Sequence, residues 1–120
     1  MTWDNKKPTA QMLGRWQPWH KGHQKLFEKI LEKTGQVLIM VRDVQGVDDN
    51  PFDFETVKLN IENALTDYAG KFKIVLVPNI TNICYGRGVG YKIEEIVLDD
   101  ETQQISATKI RQDMRDSGEL

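Results

Sequence analysis

Two short stretches of this 120-residue chain place side chains suited to holding anions where a helix is expected to begin. Both histidines fall within His20-Lys21-Gly22-His23, which precedes an amphipathic helical pattern. The second stretch, Ser106 to Arg111, again combines hydroxyls with cations. Free backbone N–H groups and the helix dipole favour a negative charge at such a position. Nucleotide chemistry is therefore the leading hypothesis.

Cations at a helix start reverse the usual preference for Asp and Glu. His20, Lys21 and His23 crowd the first helix start, and Lys109 and Arg111 follow Ser106 at the other, with no acidic residue in either first turn. Each misplaced cation costs only about 0.3 to 1 kcal/mol, so one such helix decides little. A bound anion would resolve the conflict at both helix starts.

Each of these residues also has an ordinary structural interpretation. The histidines could belong to a solvated loop or cap a backbone group, and Ser106 could be a plain N-cap. Trp16 and Trp19 could both be core residues, or one could pack while the other walls a base or sugar. A metal-dependent hydrolase using the histidine pair is a further alternative. Zinc usually takes three or four protein ligands, however, and only Cys84 or carboxylates remain, so no metal site is predicted.

Several common nucleotide and hydrolase motifs are absent from the sequence. No G-x-x-x-x-G-K-[ST] string and no G-x-S-x-G string occurs. Gly86-Arg87-Gly88-Val89-Gly90 does not fit the dinucleotide fingerprint G-x-G-x-x-G and indicates a flexible loop. These absences disfavour P-loop kinases and α/β-hydrolases.

Apolar runs and helical periodicity divide the chain into alternating strands and helices. Strands are predicted over Thr9–Leu13, Val37–Val41, Lys73–Val77, Ile80–Tyr85 and Lys92–Leu98, helices over Gly22–Thr34, over Pro51 to Gly70 and from Ser106 onward, and a polar loop over Gln45–Asn50.

This alternation predicts a single α/β domain over residues 1–120, with a parallel sheet flanked by helices. The unbroken apolar run Val37–Val41 predicts a central strand that is covered on both faces. Ligands of such sheets bind outside the carboxyl ends of the strands, where Gly14, Arg42 and Gly86 would lie.

Composition narrows the class of protein further. The net charge of −2 leaves no broad basic face, so binding to long nucleic acid is not expected. Cys84 is the single cysteine and cannot form an internal disulfide, and Met1 to Pro8 is too polar for a signal peptide, so a cytoplasmic setting is expected. No apolar run approaches the roughly 20 residues that span a bilayer.

The string GRWQPWHKGH resembles the H-x-G-H signature of the nucleotidyltransferase superfamily. It is closest to the G-R-F-Q-P-x-H-x-G-H form of archaeal-type nicotinamide-mononucleotide adenylyltransferases, and ISATKIR is similar to their I-S-x-T-x-I-R motif. Asn50 to Glu55 resembles an N-P-F-x-x-x-E stretch that opens the second helix in some members. The resemblance covers roughly Thr9 to Arg115. The compact length is closer to glycerol-3-phosphate cytidylyltransferases, and Thr56 and Val57 follow where the adenylyltransferases carry an arginine.

The resemblance implies a Rossmann-like sheet and transfer of AMP or CMP from ATP or CTP to a phosphate-bearing small molecule, with release of pyrophosphate. His20 and His23 would donate hydrogen bonds to the triphosphate, and Arg15 and Arg111 would hold phosphate oxygens. Arg42 and Arg87, at or after the ends of later strands, would contact the phosphate of the second substrate. Mg²⁺ would arrive with the nucleotide. A homodimer is one of the open oligomeric states, and a non-catalytic nucleotide-binding module is the alternative function. The remaining residues expected at the nucleotide are Gly14, Trp16, Gln17, Lys21, Gly22, Ser106, Thr108 and Lys109.

Overall fold

Strands and helices alternate through the first two thirds of the chain. The computed structural model describes residues 3–44, 50–88 and 90–119. The predicted order of strand, helix, strand, helix and strand is confirmed. Within the described residues the elements are β1 (Ala10–Gly14), α1 (Lys21–Thr34), β2 (Val37–Arg42), α2 (Phe54–Ala64), a 3₁₀ helix (Thr66–Tyr68), β3 (Phe72–Val77), α3 (Asp100–Gln103) and α4 (Ala107–Asp116).

The three strands form one parallel sheet in the order β1-β2-β3. Ala10 lies opposite Val37, and Val37 lies opposite Phe72, so the strands begin at the same level. Their carboxyl ends therefore share one edge of the sheet, which is where α/β sheets of this kind bind ligands. The predicted α/β architecture is confirmed and is consistent with a Rossmann-like fold.

The core lies on one face of the central strand β2. Val37, Ile39 and Val41 are fully buried, whereas Leu38 and Met40 alternate with them and are only partly buried. Cover on both faces was predicted, and the face that carries Leu38 and Met40 is less covered than the face that carries Val37, Ile39 and Val41. Helix α1 supplies Phe27 and Ile30 to this core. The other buried hydrophobic residues are Met12, Trp16, Trp19, Val57, Ile61 and Leu65.

Local signals set the ends of α1, while a tertiary contact accompanies the early end of α2. Gly35 takes the left-handed conformation with φ 81° and donates its N–H to Leu31 O at 2.8 Å, as the predicted helix stop requires. Helix α2 was predicted to reach Gly70 but ends at Ala64. Beyond it, Tyr68 donates its hydroxyl to Glu28 at 2.7 Å, which draws the following turn toward α1.

The segment between β3 and α3 departs most from the sequence prediction. Neither Ile80–Tyr85 nor Lys92–Leu98 is a strand, because β-propensity alone does not form a strand without a partner to pair with. Large apolar side chains there are 58% to 68% exposed: Ile83, Tyr85, Tyr91, Ile93 and Val97. Residues 45–49 of the predicted Gln45–Asn50 loop, and Val89 of the glycine-containing loop, lie outside the described residues.

Helix α3 was not predicted, although the sequence carries a signal for it. Asp99 accepts a hydrogen bond from Thr102 N at 2.7 Å, and Asp100 and Glu101 occupy the first turn. An Asp followed by acidic residues is a typical helix start. Within the described ranges, no helix is both long and apolar enough to cross a bilayer.

Candidate functional site

The chain leaving β1 turns back over the end of the sheet. The backbone of Trp16 has φ 55°, which is uncommon for a residue other than glycine. Its indole N–H donates to Met40 O of β2 at 3.2 Å, and its ring lies against Gly14. A Cβ atom on Gly14 would lie 2.7 Å from that ring, so glycine is required here by aromatic packing.

Both tryptophans of this loop are buried. Trp16 is 6% exposed and Trp19 is 9% exposed, with ring centroids 5.3 Å apart. Trp19 donates its indole N–H to Gln24 Oε1 at 3.2 Å. These exposures fit the interpretation of two core residues better than that of a wall for a base.

The two histidines cap the start of α1 reciprocally. His20 Nδ1 accepts from Gly22 N at 3.0 Å and from His23 N at 3.4 Å. In return, His23 Nδ1 accepts from His20 N at 3.2 Å. This is a capping box built from two imidazoles, in place of the usual Ser or Thr with Glu or Gln. The imidazole rings lie 3.6 Å apart and nearly parallel.

The hydrogen bonds of the cap assign the tautomer of each ring. Because both Nδ1 atoms accept, a neutral imidazole must carry its proton on Nε2. Burial, followed by the charge of His20, lowers the pKa of His23 to about 3, and burial also lowers the pKa of His20. Both side chains are thus held as neutral rings with a donating Nε2–H.

Gly22 lies next to this cap, at a position where a side chain does not fit. The residue is buried, and a Cβ atom on it would lie 2.8 Å from His20 Cε1. A side chain would therefore displace the imidazole that caps the helix. Lys21 is exposed in the first turn, which contains no acidic residue.

Helix α4 presents a second start of the same kind. Ser106 is its N-cap and accepts from Lys109 N at 3.3 Å, and its first turn also lacks acidic residues. Ser106, Thr108 and Lys109 are exposed. The predicted cap and the absence of first-turn acids at both helices agree with the structure.

Arg111 joins α4 to the histidine loop. It is 2% exposed, donates from Nη1 to Gln17 O at 2.6 Å and from Nη2 to Thr108 Oγ1 at 3.3 Å. Since Gln17 is three residues before His20, this contact brings the two cationic helix starts to one region. The Arg111 guanidinium itself is engaged by protein oxygens, whereas the sequence predicted a contact with phosphate.

Gln17 likewise meets protein atoms. It is 2% exposed, donates from Nε2 to Phe52 O at 2.9 Å and accepts at Oε1 from Phe52 N at 2.9 Å. A nucleotide contact was predicted for this side chain, but both of its polar atoms bind the segment ahead of α2. The sequence did not predict that the Phe52 backbone binds the Gln17 amide. The Asn50-Pro51-Phe52 string was the one feature there that drew attention to this segment.

The remaining predicted arginines lie at different places around the sheet edge. Arg15 is exposed, with Nη1 3.5 Å from Asn50 Oδ1, at the limit of a hydrogen bond. Arg42, at the end of β2, donates from Nη2 to Asn79 Oδ1 at 2.8 Å. Arg87 is exposed on the segment after β3.

The described residues group no metal ligands together, and one shallow cavity lies along α4. Across those ranges no three His, Cys, Asp or Glu side chains are grouped to hold a metal ion, and Cys84 is exposed. A shallow cavity of about 290 Å³ lies along α4, where Asp113 and Glu119 contribute to its lining. Its acidic lining does not suit a polyphosphate.

Sequence comparison finds a partial similarity to one kind of enzyme. No family model matches the chain. A stretch of 73 residues, 59% of the chain, is 32% identical to a nicotinamide-nucleotide adenylyltransferase of Methanococcus vannielii. The chain spans 42% of the length of that relative. This similarity, together with the parallel α/β sheet, supports a relationship of the nucleotidyltransferase type.

Proposed function

We propose that this protein transfers the AMP group of ATP to a phosphate-bearing small molecule, with nicotinamide mononucleotide as the first acceptor to test. The reciprocal histidine cap carries the proposal, because it leaves two Nε2–H donors at a helix start without acidic residues. The Arg111 contact to Gln17 O places a second such helix start beside it. The name of the Methanococcus relative favours adenylyl transfer over cytidylyl transfer.

The reaction is a direct displacement. A phosphate oxygen of the acceptor attacks the α-phosphorus of ATP and forms a new P–O–P link. The bond between the α-phosphorus and the oxygen that it shares with the β-phosphorus breaks, and that oxygen leaves with pyrophosphate. Such a reaction needs alignment of the two substrates and stabilisation of negative charge, and no covalent enzyme intermediate.

The neutral histidines act as hydrogen-bond donors in this scheme. Their Nδ1 atoms are occupied by backbone N–H groups, so neither ring is available as a general base through that atom. Their Nε2–H groups would bind triphosphate oxygens as charge moves to the leaving group. Lys21 and Lys109, both exposed in first turns, would supply positive charge.

Helix α4 would contribute mainly through its first turn. The Ser106 and Thr108 side chains and the backbone N–H groups there would orient the leaving pyrophosphate. Arg111 would hold α4 against the histidine loop, since its guanidinium already donates to Gln17 O and Thr108 Oγ1.

Mg²⁺ would be held by the nucleotide. The starts of α1 and α4, whose shared region is called the cleft, carry no carboxylate in their first turns, and phosphate oxygens are ligands that Mg²⁺ prefers. When bound, the ion would neutralise charge on the triphosphate. The protein groups that position the substrates are those of the two helix starts.

Pyrophosphate release tests the proposal. Purified protein with Mg²⁺, ATP and nicotinamide mononucleotide is expected to release pyrophosphate and form the dinucleotide, whereas CTP is expected to give little product. Parallel reactions with glycerol 3-phosphate as acceptor identify a cytidylyl-transferring enzyme if CTP is preferred.

A non-catalytic nucleotide-binding module is the second candidate. It is favoured by the absence of helices and strands among the described residues between β3 and α3. Isothermal titration with ATP separates the two functions. Binding of ATP without pyrophosphate release from any tested acceptor would support the module and contradict the transferase.

A further inference from the structure

Gln17 connects two parts of the cleft through different atoms. Its carbonyl oxygen accepts from Arg111 of α4, and its side-chain amide exchanges two hydrogen bonds with the backbone of Phe52. The first contact depends only on the main chain, and the second depends only on the side chain. A substitution of Gln17 therefore releases the segment ahead of α2 while leaving the α4 contact chemically possible.

Helix α4 and the segment held by Gln17 contact the histidine loop through different atoms of Gln17. The segment runs from Asn50 to Asp53, the N-cap of α2, and Arg15 reaches Asn50 Oδ1. In an in-line displacement the acceptor approaches opposite the leaving pyrophosphate. If pyrophosphate lies at the starts of α1 and α4, the side of the loop that faces Asn50 is the side open to the acceptor.

We infer that Gln17 is a positioning residue that fixes the wall of the acceptor site, formed by Arg15 and the Asn50–Asp53 segment. This inference rests on the proposed function. The wall would receive a phosphate monoester, because the Arg15 guanidinium suits phosphate oxygens and the Asn50 amide can donate to them. Gln17 itself does not touch the acceptor, since both ends of its amide are engaged by Phe52.

The chain offers a matched control for a buried glutamine. Gln36 is 5% exposed and donates from Nε2 to Asp4 O at 2.7 Å and to Thr9 Oγ1 at 2.6 Å. It precedes β2, so it lies at the opposite end of the strands from the cleft. Gln36→Met removes a buried amide of similar bonding without touching the proposed acceptor wall.

The experiment compares Gln17→Met, Gln17→Glu and Gln36→Met with the unchanged protein. Circular dichroism first confirms that each variant is folded, and the KM values for ATP and nicotinamide mononucleotide are then measured separately. Gln17→Met is expected to raise the KM for nicotinamide mononucleotide about tenfold while changing that for ATP less than about twofold. Gln17→Glu keeps the acceptor for Phe52 N but places a carboxylate oxygen against Phe52 O, so it is expected to raise the KM for nicotinamide mononucleotide at least as much. Gln36→Met is expected to leave the ratio of the two KM values unchanged.

The outcomes separate this inference from the proposed function. Equal rises in both KM values, or the same selective rise in Gln36→Met, would overturn the role of Gln17 while the transferase activity stands. No pyrophosphate release by the unchanged protein with either acceptor would overturn the proposed function, and the inference with it.

Discussion

The four α-helices among the described residues begin in two different ways. Helices α2 and α3 are capped by Asp53 and Asp99 and carry acidic residues in their first turns, which satisfies the helix dipole internally. Helices α1 and α4 have neutral caps, His20 and Ser106, and no acidic residue in the first turn. The negative charge that the helix dipole favours is thus supplied by acidic side chains at one pair of starts and is absent from the first turns of the other pair. The second pair is also the pair joined by Arg111 and Gln17.

Removing a donor from α1 is expected to have the largest effect. His20→Ala deletes both the cap and the Nε2–H, so turnover should fall about 100- to 1000-fold, and the free energy of unfolding should fall by about 1 kcal/mol. His20→Asn is the matched variant, because Asn can cap the helix but offers no imidazole. It should recover stability in urea denaturation without recovering pyrophosphate release. Normal turnover in His20→Asn would refute the donor role.

Acid should weaken the α1 start before it weakens the α2 start. The pKa of His23 is about 3 in the folded chain against 6.5 for the free side chain, so the unfolded state binds the proton first as pH falls. Stability from this group is complete above about pH 6.5 and is lost below it, by about 2 kcal/mol at pH 5. The pKa of Asp53 is lowered by its hydrogen bonds to Thr56, so its contribution persists until the pH falls below its ordinary range near 3.8.

Urea denaturation between pH 7 and pH 5 measures this difference. His23→Gln is the control, because Gln at this position can complete a capping box and does not titrate. The unchanged protein should lose more stability than His23→Gln over this interval. Equal losses of stability in the two proteins would show that His23 is not the titrating group.

Charge reversal should have opposite consequences for stability and binding at α4. Lys109→Glu places an acid in a first turn that has none, so it should stabilise the unliganded helix by about 0.3 to 1 kcal/mol. The same change should weaken ATP binding about tenfold, since a carboxylate would repel the phosphates. Isothermal titration and thermal denaturation measure the two effects. A stability gain with unchanged affinity would place the triphosphate elsewhere.

The corresponding reversal at α2 should have the smallest effect. Glu55→Lys removes an acid from a first turn already capped by Asp53, so the expected loss is about 0.3 to 1 kcal/mol of stability. ATP affinity should remain within about twofold of that of the unchanged protein. Titration under the conditions used for Lys109→Glu makes the two helices directly comparable. A large loss of ATP affinity in Glu55→Lys would remove the distinction between the two kinds of helix start.

Local pattern was enough to predict most of the framework. The apolar runs of β2 and β3, the amphipathic repeat of α1 and the glycine at its end each depend on neighbouring residues, and all appear in the structure. The absence of acidic residues from two first turns could also be predicted, because that prediction requires only the helix boundary and the residue types.

Contacts between distant residues were not predictable in the same way. Gln17 and Arg111 are 94 residues apart in sequence, and Gln17 and Phe52 are 35 apart. Their side chains suit both a phosphate and a backbone group, so the sequence did not reveal the backbone partners that the structure shows. The two wrong strands have a related cause, since a strand needs a neighbouring strand that the local sequence does not specify.

The long separation between β3 and α4 has an energetic consequence for the cleft. Roughly 30 residues connect the sheet to α4, and closing a fully flexible loop of that length would oppose docking by about 3 kcal/mol, an upper value because α3 within it packs against α1. Any ligand that binds both helix starts would repay part of this entropy, because it fixes the terminal helix on a sheet that is already formed. Amide hydrogen exchange in α4 should therefore slow on adding ATP far more than exchange in β2.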